Sequence, residues 1–366
     1  MEKPVDQSAG PDVSITRTGA AATIVLNRTR ALNALTIGMR ASIAAEIPRL
    51  ARDAGLYVVL FRSTNPKAFS AGGDVRELIF AYRDDPKRAC SAFADEYSLN
   101  WALECFSKPT VSLIDGIVMG SGVGISIYNT HRVAGAGYKF AMPETAIGLF
   151  PDVGVAHVLS RLPDEIGTYL ALTGRSIERA DAYHLGLVTH CIDGSRFDEI
   201  EAALGDAQTV DALLDGMHED PGVGSLEAYR HIIARCFAGD SVEAIVARLG
   251  GVTGDGRDFA VGVLSDLSRR SPTSLKITLR HVRRAASLDL RDVLIADQRL
   301  ACRCLASHDF AEGVRAALID KDNLPVWQPA TLAEVPEAAV EACFAPLPEG
   351  EDLQLPTRAQ MQASRI

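Results

Sequence analysis

The chain has 366 residues, of which 47% are hydrophobic and 23% are charged, and its formal net charge at pH 7 is -10. This length and apolar content predict a soluble globular protein with one large domain and an appendage. The acidic balance argues against a nucleic-acid partner. The longest uncharged apolar stretch, residues 116–128, is too short and too rich in glycine to span a bilayer, so we expect no membrane partner.

The seven cysteines show neither a CxxC pair nor a dense, even spacing. We therefore expect no disulfide framework and no metal site, and we interpret Cys302 and Cys304 as small packing residues. The N-terminal stretch MEKPVDQSAGPD is polar and lacks the apolar segment of a secretory signal. Together these features predict a cytoplasmic protein.

Short apolar runs predict the strands of the N-terminal half. The runs 13–18 and 23–26 flank a glycine and predict a hairpin. The runs 57–61 and 110–114 are apolar without alternation, which is typical of strands buried on both faces of a helix-covered parallel sheet. A further strand is predicted near 132–134. Strand, glycine loop and helix then recur along the chain, and this order predicts the α/β class.

Helices are expected between these strands and beyond residue 200. The first should be kinked or ended by Pro48. We predict irregular helices at 206–265 and longer ones at 272–320, and five prolines within 325–348 favour an extended tail. The predicted divisions are a disordered N-terminus (1–12), an α/β core (13–205), a helical C-terminal region (206–335) and an extended tail (336–366) that ends in disorder.

Two acids, Glu144 and Asp152, stand eight residues apart in an otherwise apolar segment. A carboxyl group kept from water has a raised pKa unless it is paired, so each acid needs a partner or a function. Helix capping is the alternative, because Glu144 follows Pro143 and Asp152 follows Pro151 at predicted helix starts.

Two glycine-rich loops, 70–74 and 116–124, each follow a predicted buried strand. Backbone N–H groups emerge unpaired at such a helix start, and glycine allows a ligand to approach the main chain closely. Two converging loops would direct two N–H groups at one oxygen, which is an oxyanion hole for acyl chemistry. The second loop also matches part of a dinucleotide-binding fingerprint, but Ile125 stands where its third glycine belongs. Tight packing of a helix on a strand is the structural alternative.

Three segments resemble the crotonase superfamily, also called the enoyl-CoA hydratase/isomerase fold: KAFSAGGDVREL, KPTVSLIDGIVMGSGVGIS and FAMPETAIGLFPDVG. Within it, MPETAIGLFPDVG, SPTSLKITLR, HDFAEGVRAALIDKD and the PVWQP tail are similar to the 3-hydroxyisobutyryl-CoA hydrolase family. The resemblance covers about residues 13–335. It implies a crotonase-like ββα superhelix core with a helical C-terminal region.

The resemblance also implies a site for an acyl-CoA thioester. Its carbonyl oxygen would be held by the backbone N–H groups of Gly73 and Ser121, although the family commonly has glycine at the second position. Glu144 matches the catalytic glutamate, and Asp152 matches the aspartate of the FPDVG segment. Glu96 matches a third acid that lines the substrate site, while its acidic helical surroundings also fit an exposed helix face.

Further binding residues are implied beside these positions. Substrate contacts are expected from Asp74, Gly120 and Gly122. Contacts with the CoA adenine and phosphates are expected from Arg28, Arg30, Ala31 and Arg76, because phosphate groups attract arginine. No cofactor is implied, since CoA is part of the substrate, and a homo-oligomer is compatible with the superfamily.

Position 124 bears on the reaction. Hydratases of the superfamily carry a second glutamate where this chain has Gly124. One glutamate, one aspartate and an oxyanion hole suit hydrolysis of a short-chain 3-hydroxyacyl-CoA, above all 3-hydroxyisobutyryl-CoA in valine breakdown. Glu144 would act as general base or as a nucleophile that forms a mixed anhydride, and the sequence leaves both routes open. The alternatives are an enoyl-CoA hydratase or isomerase, and a non-catalytic acyl-CoA-binding protein.

Overall fold

The computed structural model describes residues 11–366, so most of the N-terminal stretch predicted to be disordered lies outside the described residues. The strands are β1 Val13–Thr18, β2 Ala21–Leu26, β3 Val58–Ser63, β4 Ala68–Ser70, β5 Thr110–Ile114, β6 Ile117–Met119, β7 His131–Ala134, β8 Lys139–Ala141, β9 Ile177–Glu178 and β10 His190–Cys191. The helices up to the end of the core are α1 Ile37–Arg52, α2 Val75–Asp84, α3 Pro86–Glu104, α4 Ser121–Gly124, α5 Val155–Leu159, α6 Ile166–Thr173, α7 Arg179–His184 and α8 Phe197–Gly205.

The remaining helices are α9 Val210–Met217, α10 Arg230–Phe237, α11 Val242–Gly250, α12 Arg257–Leu267, α13 Pro272–Ala285, α14 Leu290–Leu305, α15 His308–Val314, α16 Glu337–Ala342 and α17 Arg358–Ala363. Short 3-10 helices occupy Thr29–Ala31, Glu144–Ile147, Pro163–Glu165, Gly194–Arg196, Glu227–Tyr229, Gly254–Gly256 and Leu332–Glu334, and a π-helix occupies Arg315–Ile319. No helix within residues 11–366 has the length and apolar character needed to cross a bilayer.

The strands form two sheets with a repeating connection. The larger sheet has the order β1-β2-β3-β5-β7-β10, and the smaller has the order β4-β6-β8-β9. Each successive pair, β3 with β4, β5 with β6 and β7 with β8, places its first strand in the larger sheet and its second in the smaller. Pairing is antiparallel in the β1–β2 hairpin and between β8 and β9, and parallel elsewhere. The predicted α/β class and ββα core are confirmed.

The continuous apolar strands β3 and β5 separate two hydrophobic cores. In β3, Val59 and Phe61 face the main core, whereas Val58 and Leu60 face a smaller core. Residues of α8 and α9, such as Leu204, complete that smaller core. Because both faces of the sheet are covered, both sets of alternating side chains must be apolar, which explains the absence of a polar alternation.

Helix α1 departs from the prediction at Pro48. The helix continues through Pro48 and ends at Arg52. Thr36 caps its start by accepting a hydrogen bond from the backbone N–H of Met39 at 3.1 Å. Proline removes one helical hydrogen bond, but Leu50 beyond it is buried in the main core, so packing retains the last turn.

The C-terminal residues also differ from the extended tail that we predicted. They form α16 and α17, and Leu355 and Met361 are buried in the main core. The indole N–H of Trp101 donates to the carbonyl of Pro356 at 2.8 Å, which fixes this segment on α3. These residues pack against the body of the protein because their apolar side chains are buried there.

Two cysteines form a disulfide, although the cysteine spacing led us to expect no disulfide framework. Cys90 on α3 and Cys302 on α14 are joined as a disulfide, with their Cα atoms 5.2 Å apart. The interpretation of Cys302 as a simple packing residue is therefore wrong. The partners are 212 residues apart in sequence, so no local cysteine pattern could indicate the pairing.

Candidate active site

A cavity of about 530 Å³ lies where the glycine loops after β4 and β6 meet the segment after β8. A larger depression of about 750 Å³ lies between α13 and α16, but it is lined by charges that neutralise one another. There Arg280 pairs with both Glu337 and Glu341, and Lys276 pairs with Glu337. The smaller cavity holds unpaired buried polar atoms, so we place the candidate active site there.

Most of the predicted site residues line this cavity. They are Arg28, Ala31, Gly73, Asp74, Arg76, Glu96, Gly120, Ser121, Glu144 and Asp152. Arg30 and Gly122 are not among its lining residues. The side chain of Arg30 is 65% exposed, and a Cβ added to Gly122 would lie 2.7 Å from Cβ of Ser70, which places Gly122 behind the cavity wall.

The two glycine loops contact each other at the cavity. A Cβ added to Gly73 would lie 2.8 Å from Oγ of Ser121. The first loop is held by Leu35, which donates to the carbonyl of Gly72 at 2.8 Å and accepts from the N–H of Asp74 at 2.9 Å. Neither of these bonds uses the N–H of Gly73. Ser121 is the first residue of α4, so its N–H has no acceptor within the helix. Neither N–H has an acceptor among residues 11–366, as expected for donors kept available to a ligand.

Glu144 lies against this pair of loops with its carboxyl group removed from water. It is the first residue of a 3-10 helix, is 6% exposed and makes no capping hydrogen bond. Its buried Oε2 has no hydrogen-bond partner in the described part of the chain. A Cβ added to Gly120 would lie 3.0 Å from Oε1 of Glu144 and 3.9 Å from the backbone nitrogen of Gly73. Burial raises the pKa of Glu144 to about 8.

Asp152 is buried beside Glu144, and within residues 11–366 its carboxyl group has one hydrogen-bond partner. The phenol of Tyr97 donates to Oδ2 of Asp152 at 2.8 Å. Burial raises the pKa of Asp152 well above its ordinary value, and the negative charges of Glu96 and Glu144 raise it further. The side chain does not cap the following helix, whose N-cap is Gly154, so the capping interpretation fails for Asp152 as it does for Glu144.

Glu96 is a third buried acid at the cavity, and the alternative of an exposed helix face is wrong. It is 2% exposed, and its Oε2 accepts from Nη1 of Arg40 at 2.8 Å. Its other oxygen, Oε1, is buried without a partner within residues 11–366. Sequence reasoning missed Arg40 and Tyr97. A signal for Arg40 existed, because a charged residue at the helical spacing of Ile43 and Ile47 indicates a buried ionic partner.

The cationic residues at the cavity differ in how far their charge is neutralised. Arg28 pairs with Asp74 at 2.8 Å, and both side chains are less than 20% exposed. Asp74 also caps α2 by accepting from the backbone N–H of Glu77. Arg76 is exposed and forms no ion pair with residues 11–366. Of these cations, Arg76 therefore has the charge most available to an anionic ligand.

Comparison with known proteins decides the family. A family model described as enoyl-CoA hydratase/isomerase matches residues 21–344. The chain belongs to the enoyl-CoA hydratase/isomerase family. It is 39% identical over 361 residues to the mitochondrial 3-hydroxyisobutyryl-CoA hydrolase of Danio rerio, with 96% of this chain and 94% of that protein covered. Identity to the mitochondrial 3-hydroxyisobutyryl-CoA hydrolase of Homo sapiens is 40% over 347 residues, covering 92% and 89%.

Solved structures share the fold at high similarity. A carnitinyl-CoA dehydratase from Mycobacterium thermoresistibile has a TM-score of 0.89 and 38% identity, with 94% of this chain and 99% of that chain covered. An enoyl-CoA hydratase from Rhodobacter sphaeroides 2.4.1 has a TM-score of 0.87 and 34% identity, with coverage of 94% and 100%. The names within this family therefore include hydrolase, dehydratase and hydratase, and the residues of the cavity must distinguish the reactions.

The comparisons also correct the expected compartment. Both curated relatives described above are named as mitochondrial enzymes, which contradicts the cytoplasmic location that we predicted. That prediction was based on cysteine spacing and a polar N-terminal stretch, and neither property of a folded chain identifies the compartment that contains it.

Position 124 is closed to a second glutamate. A Cβ added to Gly124 would lie 2.8 Å from Nδ2 of Asn100 and 2.9 Å from Cβ of Val153. Such distances require a neighbour to move, so the packing of this family member excludes a side chain at that point. Four acids among residues 11–366 line the cavity: Asp74 is paired with Arg28, and the other three are Glu144, Asp152 and Glu96.

Proposed function

We propose that this protein hydrolyses short-chain 3-hydroxyacyl-CoA thioesters and that its substrate is 3-hydroxyisobutyryl-CoA. The observation that carries the proposal is the position of Glu144, whose unpaired buried carboxyl lies beside the acceptor-free N–H groups of Gly73 and Ser121. The names of the relatives that are 39% and 40% identical support the same substrate.

The two backbone donors would stabilise the charge that develops on the thioester oxygen. As the carbonyl carbon becomes tetrahedral, its oxygen acquires negative charge. N–H groups that already point at this oxygen stabilise the charge without having to reorganise. Glycine at 72, 73 and 120 allows the substrate to reach the main chain. Ser121 supplies the same backbone N–H as glycine would, and its side chain faces Gly73.

Glu144 has two possible roles in breaking the thioester. As a general base it takes a proton from water, whose oxygen attacks the carbonyl carbon, and the proton then passes to the departing CoA thiolate. As a nucleophile it forms a mixed anhydride and releases CoA, and water then cleaves the anhydride. A single turnover in H₂¹⁸O that leaves ¹⁸O in Glu144 would show the nucleophilic route, because only attack of water on the glutamyl carbon of an anhydride labels that side chain.

The other two acids would select a hydroxylated acyl group. Burial and the neighbouring acids raise the pKa of Asp152 and so favour its protonated form, which can donate a hydrogen bond. Glu96 presents an unpaired acceptor, Oε1, at the same cavity. A hydroxyl group both accepts and donates, so a 3-hydroxyl substituent can satisfy both acids, whereas an unsubstituted acyl chain would leave them unpaired.

Hydration of an enoyl-CoA is the second candidate, because two similar solved structures are named for hydratase and dehydratase reactions. One assay separates the candidates: purified protein is incubated with 3-hydroxyisobutyryl-CoA and, separately, with crotonyl-CoA. We expect release of free CoA thiol from the first and no loss of enoyl absorbance from the second. Loss of enoyl absorbance without thiol release would overturn the proposal in favour of a hydratase, and binding with neither change would indicate a non-catalytic protein.

A further inference from the structure

The segment Phe150–Gly154, which carries Asp152, has an unfavourable backbone conformation. Val153 has a φ of +55°, and Gly154 has a φ of +75°. A β-branched residue rarely occupies the left-handed region, because its side chain collides with the backbone there. Surrounding contacts must therefore hold the segment. One of them is the phenol of Tyr128, which donates to the carbonyl of Val153 at 2.5 Å.

A buried pair from the C-terminal helices supplies the other contacts. Asp297 on α14 is fully buried, and its Oδ2 accepts from the backbone N–H of Gly154 at 2.6 Å. Its Oδ1 lies 2.6 Å from Nε2 of His281 on α13. The ring of His281 packs edge-on against Phe150, with ring centroids 5.5 Å apart. The pair thus contacts both ends of a five-residue segment whose middle residue is Asp152.

We propose, resting on the proposed function, that Asp297 and His281 are a positioning pair through which the C-terminal helices hold Asp152 in place. Neither residue lines the cavity, so the pair acts through Gly154 and Phe150 rather than on the substrate. The hydrogen bond to Gly154 fixes the backbone two residues after Asp152. The aromatic contact with Phe150 fixes it two residues before.

The negative charge of Asp297 raises the pKa of Asp152. The groups that face Asp152 are Glu96 and Tyr97 from α3, Glu144 from the 3-10 helix and Asp297 from α14. The cation of Arg40 is already paired with Glu96. Asp297 itself faces His281, Tyr97 and Tyr128. Its negative charge disfavours ionisation of Asp152, so removing that charge lowers the pKa of Asp152.

The test separates the hydrogen bond from the charge. Asp297→Asn removes the charge, but its amide oxygen can still accept from Gly154. Asp297→Ala removes both. The matched control is Asp181, an aspartate that is also buried and accepts backbone N–H groups, but from Ser225 and Leu226 rather than from the segment that carries Asp152. Asp181→Asn and Asp181→Ala therefore repeat the same changes at a buried aspartate outside the candidate active site.

Two readouts are measured on the full chain. The first is the infrared band of protonated carboxyl groups as a function of pH, with the contribution of Asp152 assigned by its loss in Asp152→Asn. It requires no activity, so it tests the inference even where thioester hydrolysis fails. The second is thiol release from 3-hydroxyisobutyryl-CoA, with kcat and KM determined separately. Wild-type activity in this assay tests the proposed function alone.

We expect the Asp152 band of Asp297→Asn to disappear at a pH lower by roughly 0.5–1 unit, with kcat within about tenfold of the wild type. Asp297→Ala should lower kcat about 100-fold while KM changes less than about threefold, because displacement of a reacting group affects the chemical step. The Asp181 variants should leave the band and kcat unchanged. An unmoved Asp152 band in Asp297→Asn, or equal loss of kcat in the Asp297 and Asp181 series, would overturn the inference.

Discussion

The phenol of Tyr97 donates a hydrogen bond of 2.8 Å to Oδ2 of Asp152, and both side chains are buried beside the candidate active site. This bond favours the ionised form of Asp152, whereas burial and the neighbouring carboxylates favour the protonated form. The hydrogen bond from Tyr97 thus lowers the pKa of Asp152, in opposition to the groups that raise it.

Tyr97→Phe removes this hydrogen bond, so the pKa of Asp152 should rise further. Since the proposed role of Asp152 requires its proton, the decline of kcat/KM at alkaline pH should move to higher pH. We also expect a roughly threefold to tenfold lower rate, as one hydrogen bond to the site is lost. Tyr138→Phe is the control, because Tyr138 is also buried but the donor to Asp152 is Tyr97. An alkaline limb that stays in place in Tyr97→Phe would contradict the assignment.

Glu144→Gln should stabilise the protein in a pH-dependent way. Burial raises the pKa of Glu144 from 4.5 to about 8, so below pH 4.5 both folded and unfolded chains carry the proton. Between these values the unfolded chain loses its proton first, and the wild type loses about 1.4 kcal/mol of stability per pH unit. The variant has no such loss.

The difference in unfolding free energy between Glu144→Gln and the wild type should therefore be near zero below pH 4.5 and on the order of 3–5 kcal/mol above pH 8. Urea unfolding at pH 5 and at pH 8 measures it. A difference that is the same at both pH values would show that the pKa of Glu144 is not raised.

Gly120 should tolerate no side chain. It has a φ of +46°, and an added Cβ would lie 3.0 Å from Oε1 of Glu144 and 3.4 Å from Cα of Gly72. Gly120→Ala should lower kcat/KM by roughly 100-fold or more, because both the glutamate and the donor loop are displaced.

Gly186→Ala is the matched control for that change. Gly186 has a φ of +72°, but no heavy atom of residues 11–366 lies within 4 Å of its added Cβ. Both variants place a Cβ at a positive φ and so carry a backbone penalty of at least about 1 kcal/mol, which thermal unfolding detects. Equal loss of activity in the two would attribute the effect at 120 to backbone strain rather than to the site.

Arg76 should contribute to binding of the CoA phosphates. It is exposed at the cavity without an ion pair in the described chain, whereas Arg28 is neutralised by Asp74. Arg76→Ala should raise KM roughly fivefold to tenfold with kcat nearly unchanged, and the effect should shrink at high salt. Arg30→Ala, at an exposed arginine outside the cavity wall, should have a smaller effect on KM. The opposite order of the two effects would contradict this account of CoA binding.

The sequence predicted those parts of the fold that depend on local pattern. Strands β3 and β5 were found because burial on both faces favours apolar side chains on both and removes the polar alternation of a half-exposed strand. The continuation of α1 beyond Pro48 was not predicted, because packing of Leu50 by distant residues outweighs the local effect of proline.

The same distinction applies to the candidate site. Glu144, Asp152 and the glycine loops carry motifs, whereas their partners are distant in sequence. Arg40 reaches Glu96 across 56 residues, and Asp297 reaches Gly154 across 143. The spacing on α1 can indicate that Arg40 is buried, but nothing in one sequence identifies the distant acid with which it pairs.

The role of Glu144 is tested most directly by kcat/KM for thiol release from 3-hydroxyisobutyryl-CoA, measured between pH 6 and pH 9 for the wild type and Glu144→Gln. The wild-type value should rise with pH through about 8, because the glutamate must lose its proton to act. The variant should be at least about 100-fold slower and lack this rise. A wild-type rate that is constant over this range, or a variant within tenfold of the wild type, would contradict the account.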